Sequence, residues 1–595
     1  MLHGDNMQIS EREQAVAVLK RISAQEWREF WESSEAADLR GDDDIARQTL
    51  AHADLNVRGA PPRPIDCVLD LLGDRLMSDK KAGAPIRRMI IRAIPQTQWT
   101  KLAAEYRQLN IAELPRLHGN VVQHGAGALV MAEYWRQGGR WARAFCEITG
   151  LPGCLAENRP NVLPADEEVI SVQALPPLHD FQLEVYIKLR ELLANGTGSA
   201  GLLSLPTGAG KTRVAVEALV DHLAQTGGRR NIVIWIAQSE ELQRQAWECF
   251  REVWQTPPQR ADELVIPRRG ILKLVRAWGS RNADDIEFGE GPTVVLANIQ
   301  QLGSWLRKSE FFDRLQPSRL GAVVVDEAHR IIAPQHRDVL VALGVRAERE
   351  WRTLRSSAPV IGLTATPWRT LEQEDGPLRN FFDQHLLTPR SLSRAPISSL
   401  QRREILAAVV PEKLYSADSP AMTTAQRESF EQFHELPNDY LATLGRWPKR
   451  NGAILRRLVT LPGDSRTLVF ACSVEHASVM TLALNRAFEQ TVAALVTGKT
   501  PRSERLDTLN LFRAGELRYL CNVGVLTTGF DAPKVDVVCL TRPTSSALLY
   551  EQMVGRGLRG PKNGGTKTCL VLDVQDEGLP DSIMSYARVA KEWGA

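Results

Sequence analysis

The chain has 595 residues, 43% of them hydrophobic and 24% charged, with a formal net charge of +2. That length is too great for one hydrophobic core and predicts two to four domains, and the composition excludes the disordered and fibrous classes. Near-neutral charge leaves any nucleic-acid contact to local clusters, and no apolar run reaches the ~18 residues of a membrane span.

In chain order, residues 1–156 read as an all-α region. "SEREQAVAVLKRISAQEWREFW" carries apolar residues at helical spacing behind a Ser10 cap, and its mixed charges are unlike a signal peptide. Further helices are predicted in "PIDCVLDLLGDRL", "PIRRMIIRAI", "QWTKLAAEYRQL" and "GALVMAEYWRQGGRWARAFCEI", with breaks at "RGAPPRP" and "KAGAP". Over residues 71–145 twelve Lys/Arg stand against five Asp/Glu, interleaved with Trp99, Trp135 and Trp141. Two readings are open: a surface that tracks phosphates and stacks bases, or tryptophans filling a small core with arginines outside. Residues 157–177, rich in Pro and acid, read as a linker.

The texture then changes. Short β-branched runs ("IVIWIA", "TVVLAN", "AVVVDE", "PVIGLTAT") alternate with amphipathic helical patterns, which means a parallel sheet covered on both faces. A second series runs "TLVFAC", "TVAALVTG", "LRYLCNVGV", "VDVVCLT" and "KTCLVLDV". The expected fold is therefore α/β, with two tandem parallel-sheet domains at 178–390 and 391–595 behind the helical one. A basic set in an insertion of the first (Arg268, Arg269, Lys273, Arg276, Arg281) carries the same two readings as the tryptophan region. The eight cysteines are scattered without CxxC or zinc spacing, as in a reduced, cytoplasmic protein.

Three stretches carry chemistry. In "LLSLPTGAGKTRVAVEAL" a strand leads through Pro206, Thr207, Gly208, Ala209, Gly210, Lys211 and Thr212 into a helix. Glycines there let successive N–H groups point inward to cradle phosphates, while Lys211 reaches the β- and γ-phosphates and the Thr212 hydroxyl can ligate Mg²⁺. "GAVVVDEAHR" drives a buried strand into Asp326 and Glu327, placed to hold Mg²⁺ through water and to deprotonate an attacking water. In "YEQMVGRGLRG", Arg556 and Arg559 stand three apart, a spacing that predicts one helix face presenting two guanidiniums to a multiply charged anion.

"PTGAGKT", "DEAH", "TAT" and "QMVGRGLR", in that order, resemble a superfamily 2 DEAD/DEAH-box helicase or translocase over about residues 178–575. "GRGLRG" followed by "NGG" and a strand ending in Asp573 is most similar to the excision-repair and type I/III restriction-motor group. The resemblance implies two RecA-like domains with ATP and Mg²⁺ between them. It implies that Gln182 reads adenine, and that Gly529 and Asp531 face the nucleotide. Arg556, Arg559 and Gln552 join Lys211, Asp326 and Glu327 in catalysis, and His329, Thr364 and Thr366 couple the cleft. Nucleic-acid contacts fall on Ser239, on Asn298 (where the family usually has Thr), on Ser473 with His476, and on Thr527 with Thr528.

The expected function is an ATP-dependent helicase or translocase, with DNA favoured over RNA as its polymer. A second reading is a motor subunit of a restriction-like or antiviral complex, docked to a protein partner through its helical N-terminal domain. A third is a nucleotide-gated binding module with little turnover. There is no nuclease signature, and a motor independent of residues 1–155 would keep basal ATPase without them.

Overall fold

The computed structural model describes residues 9–55, 64–109, 126–156, 175–196, 198–225, 230–255, 271–277, 283, 286–308, 310–315, 317–331, 334–347, 354–365, 378, 381–382, 385–392, 396–416, 418–500, 502–527 and 534–593. The expected linker, apart from Leu175–Pro177, and the basic residues Arg268, Arg269 and Arg281 lie outside the described residues.

The N-terminal helices are α1 (Ile9–Leu19), α2 (Ala24–Glu32), α3 (Ala37–His52), α4 (Pro64–Leu72), α5 (Gly83–Ala93), α6 (Gln96–Arg107), α7 (Ala126–Glu133) and α8 (Arg140–Thr149). The first stretch is two helices rather than one. Ser23 caps α2, its hydroxyl accepting from the Glu26 N–H at 3.2 Å, and that competing cap ends α1. Trp99 and Trp141 are buried in the helical core, and Trp135 packs against it beneath Arg87 at 5.0 Å. The tryptophans are therefore core residues and not a base-stacking surface.

The first sheet is parallel. Its strands are β1 (Ala200–Ser204), β2 (Ile232–Ile236), β3 (Lys273–Ala277), β4 (Thr293–Ala297), β5 (Leu320–Asp326), β8 (Val360–Thr364) and β9 (Leu386–Leu387), ordered β3-β4-β2-β5-β8-β1-β9. Between them β6 (Val345–Ala347) and β7 (Leu354–Ser356) form a small antiparallel pair. β1, β2, β4 and β5 are buried along their whole length, as the continuous apolar runs require. The second sheet, also parallel, comprises β10 (Ala408–Ser416), β11 (Thr467–Phe470), β12 (Ala493–Val496), β13 (Tyr519–Asn522), β14 (Val537–Leu540) and β15 (Thr568–Asp576), ordered β10-β15-β14-β11-β13-β12. β10 escapes the periodicity because Pro411 and charged residues interrupt it; an edge position tolerates both.

The strand order builds the site. β8 lies between β5 and β1, with Ser204 opposite Thr364 and Asp326 opposite Leu363. The phosphate loop, the Asp326 turn and the Thr364 turn thus leave neighbouring strands at one sheet edge, the place where open α/β sheets bind ligands.

The helical region is fastened to the second sheet domain. Leu50, Cys67 and Leu71 from α3 and α4 share one hydrophobic cluster with Ile454, Leu455 and Leu458. A Cβ on Gly452 would stand 2.8 Å from the His52 carbonyl carbon, so the helix Pro448–Leu458 approaches α3 backbone to backbone. Buried Asp43 pairs with Arg486, and the Arg456 guanidinium donates to the His52 carbonyl at 2.6 Å.

Candidate active site

The phosphate loop joins β1 to α10 (Lys211–Gln225). Gly208 and Gly210 hold φ of 83° and 84°, the left-handed region that strains any side chain. Lys211 Nζ donates to the Leu205 carbonyl at 3.1 Å, and burial pushes its ammonium below the ordinary range against the pull of Glu327 and Asp326. Gln182 stands in the first turn of α9 (Asp180–Asn195). Its Oε1 accepts from the His179 N–H at 2.9 Å and its Nε2 donates to the Ala209 carbonyl at 2.9 Å, which braces α9 against the loop. Both polar atoms of that buried amide thus already hold a protein partner. Arg213, directly after Thr212, donates to the Pro176 carbonyl at 3.3 Å and pins the Leu175–Leu178 segment that walls the site.

Asp326 ends β5, and the Glu327 N–H donates to its Oδ1 at 3.0 Å. Burial, with the like charge of Glu327, holds the Asp326 carboxyl above the usual carboxylate range. Glu327 adopts φ 54° and ψ 52°, a strained conformation of the kind that persists at functional sites. Its Oε2 lies 3.5 Å from His329 Nδ1.

The two arginines do not share a helix face. The helix Ala547–Val554 ends before them, Arg556 lies in a 3₁₀ turn (Gly555–Gly557), and Arg559 forms an antiparallel bridge to Leu406. Glycines at 555, 557 and 560, just past the helix end, each let the backbone meet a close neighbour. At Gly555 that neighbour is Thr207 of the phosphate loop, whose Cγ2 would stand 2.7 Å from an added Cβ.

These parts converge on one cleft of about 690 Å³ between the sheet domains. It is lined by Gln182, Thr207, Gly208, Gly210, Lys211, Thr212, Asp326 and Glu327 from the first, and by Gly555, Arg556 and Arg559 from the second. A hydroxyl and a buried carboxylate, Thr212 and Asp326, are the hard oxygen donors that Mg²⁺ favours. Residues 176–369 match the family model "Type III restriction enzyme, res subunit", and residues 451–560 match "Helicase conserved C-terminal domain". IRC3 of Saccharomyces cerevisiae is 25% identical over 64% of this chain and 50% of its own length. The general transcription and DNA repair factor IIH helicase/translocase subunit XPB of Drosophila melanogaster is 25% identical over 63% of this chain and 41% of its own length. The type I restriction enzyme EcoKI endonuclease subunit of Escherichia coli is 24% identical over 60% and 31%.

The chain belongs to the superfamily 2 helicases and translocases. It spans about half the length of IRC3, and less of the other two.

Other expected residues of this superfamily 2 motor sit outside the cleft lining. Ala209 is buried within the loop, Pro206 lends its carbonyl to Lys211 at 3.5 Å, and Thr364 is fully buried beside Ser204. Gln552 is buried, and its carbonyl accepts from Arg556 Nε at 3.2 Å. Thr366, Thr528, Gly529 and Asp531 lie outside the described residues.

Three of the expected nucleic-acid contacts share one local role. Ser239, Asn298 and Ser473 follow β2, β4 and β11, and each caps a helix with its side-chain oxygen, accepting from Leu242, Gln301 and His476 N–H groups at 3.2, 2.6 and 3.2 Å. The helices are α11 (Glu240–Gln255), α12 (Ile299–Lys308) and Val474–Phe488. His476 is fully buried, its Nδ1 accepting from the Cys472 N–H at 3.2 Å, so it cannot meet a polymer at this surface. Thr527 is largely buried as well. What these helices present outward is the positive end of the dipole and the first-turn N–H groups.

Sequence reasoning passed over the connector between the sheets. Arg403 pairs with Asp180 and lies over the Phe181 ring at 5.4 Å, and Leu406 packs on Gly208. No residue type in "QRREILAAVV" advertises that position; only Arg403, in a basic run, offered a signal.

Among the described residues no helix is long and apolar enough to cross a membrane, and no His, Cys, Asp and Glu cluster forms a metal centre of its own.

Proposed function

We propose that this chain is a DNA-stimulated motor that hydrolyses ATP in the cleft between its two sheet domains. The observation that carries the reading is that Lys211, Asp326 and Glu327 of one domain and Arg556 and Arg559 of the other line the same cavity. Lys211 and the loop amides hold the phosphates, and the Gln182 amide meets adenine. Thr212 and Asp326 are the residues that would hold Mg²⁺, whose charge offsets that of the phosphates. Glu327 orients and deprotonates the attacking water, steadied by His329. Arg559, supported by Arg556, meets the γ-phosphate and withdraws after hydrolysis, so ATP biases an opening and closing of the two domains. The polymer crosses the capped ends of α11, α12 and the helix Val474–Phe488, contacted through backbone N–H groups.

DNA is favoured because the matched family model and two of the relatives are named for restriction or DNA repair. The same names support a second reading, a translocating subunit of a restriction-like assembly in which another subunit cuts. The eight cysteines, none of them in a disulfide, fit a reducing compartment such as the cytoplasm.

The test is ATP hydrolysis with single- and double-stranded DNA and RNA, beside Lys211→Ala. DNA should stimulate turnover, RNA should not, and Lys211→Ala should abolish it. Equal stimulation by RNA would remove the DNA assignment. Absence of turnover under every condition would leave only the nucleotide-gated binding module.

A further inference from the structure

One connector residue touches both halves of the cleft. The Leu406 side chain rests on the phosphate loop, where its Cδ2 would lie 3.1 Å from a Cβ on Gly208. Gly208 holds φ 83°, which strains any side chain, and the Leu406 methyl would crowd a Cβ placed there. The Leu406 backbone meanwhile bridges Arg559. Two hydrogen bonds flank that bridge, from the Ala407 N–H to the Leu558 carbonyl at 2.8 Å and from the Gly560 N–H to the Ile405 carbonyl at 3.0 Å. The Leu406 N–H itself donates to the Leu400 carbonyl at 3.2 Å, and the side chain is buried, so the residue has little room to move independently of its neighbours.

We infer that Leu406 is a positioning residue that links the phosphate loop to Arg559. A shift of Gly208 as phosphates enter or leave presses on Leu406, and the paired backbone carries that displacement to the arginine. Interdomain coupling then has a material link of two packed steps, in an interior too dense to absorb the displacement. The inference rests on the reading of Arg559 as the γ-phosphate ligand proposed above.

The test compares Leu406→Val, which withdraws the methyl that meets Gly208, with Leu406→Met, which keeps both reach and volume. Arg559→Ala is measured alongside. For each, kcat and KM for ATP are measured with saturating DNA, together with binding of a fluorescent ATP analogue and the melting temperature. Leu406→Val should lower kcat about 10- to 100-fold, the scale of a misplaced reacting group. Its ATP affinity should stay within about twofold of wild type, and Leu406→Met should restore turnover. If Leu406→Val leaves kcat unchanged while Arg559→Ala lowers it, the coupling is refuted and the reading of Arg559 stands. A fall in kcat, affinity and melting temperature together, unrelieved by Met, makes Leu406 a packing residue only. An Arg559→Ala enzyme with wild-type kcat overturns the reading of Arg559, and the coupling with it.

Discussion

Gly555→Ala tests whether closure of the arginine loop on the phosphate loop limits turnover. Gly555 has φ −56° and ψ −20°, which alanine adopts freely, so the backbone gives no reason for harm. The contact does. An added Cβ stands 2.7 Å from Thr207 Cγ2 and 3.0 Å from Thr207 Cβ, whereas carbon atoms rest at ~3.5–4.0 Å. The arginine loop must retreat by about 1 Å. Misplacement on that scale costs on the order of 10²-fold in rate, or about 2.7 kcal/mol of barrier. ATP affinity should fall far less, since Lys211 and the loop amides belong to the other domain. Thr207→Ser removes Cγ2 and leaves the contacts with Cβ at 3.0 Å and Oγ1 at 3.3 Å, so the double variant should recover about tenfold of the lost kcat. Steady-state ATPase and equilibrium nucleotide binding on all three variants read this out. A Gly555→Ala enzyme turning over within about twofold of wild type, or no recovery with Thr207→Ser, would refute the reasoning.

Across the two sheet domains, Arg505 of the second donates to Glu241 of α11 at 2.5 Å. Glu241→Arg or Arg505→Glu alone should lower DNA-stimulated ATPase at least about threefold, the worth of a partly exposed pair. The double reversal should restore it, and a double variant no better than the singles would show that the pair does not bridge the domains in turnover. Burial raises the Asp42 carboxyl from 3.8 to about 7 at the interface between α3 and the second domain, against the pull of Arg446. The folded state therefore holds a proton that the unfolded chain has released, and stability falls as pH rises from about 4 to about 7. Asp42→Asn should flatten that slope and raise the urea midpoint at pH 8; an unchanged slope would refute the assignment. Removing residues 1–155 uncovers Ile454, Leu455 and Leu458, so the fragment should aggregate in size-exclusion chromatography. A monomeric fragment with the full chain's melting temperature would show that the shared core is dispensable.

The parallel sheets and most of their strands were legible because buried strands read as unbroken apolar runs. The phosphate loop and the Asp326 turn were legible because strand, loop and helix are contiguous there. Arg556 and Arg559 were identified by residue type but misjudged in geometry, since spacing assumes a continuing helix, while this one ends at Val554 and Gly555, Gly557 and Gly560 meet neighbours remote in sequence. α3 was missed because "ADLRGDDDIARQTLAH" places Gly41 and three successive aspartates inside a helix. Its buried Asp43 is held by Arg47 one turn on and by Arg486, about 440 residues away in the chain. Leu406 was invisible for the same reason: a leucine in an ordinary run gains a role only when two loops fold onto it.

The docking of α3 changes what the N-terminal region can contribute to a motor. A tethered accessory domain could recruit a partner and leave the ATP cycle untouched. This one shares its apolar interior with the helices Pro448–Leu458 and Val474–Phe488, and buries Asp43 against Arg486. Removing Asp43 would leave the largely buried Arg486 unpaired at a cost of about 3–5 kcal/mol, a large share of a domain's stability. It also reaches toward the first domain, because Arg75 lies 3.5 Å from Glu504, the residue preceding the Arg505 that holds Glu241. Whatever ATP does to the angle between the sheet domains, the N-terminal helices must travel with the second. A partner bound to them would be moved with each cycle, which is how a motor subunit would transmit work to an assembly.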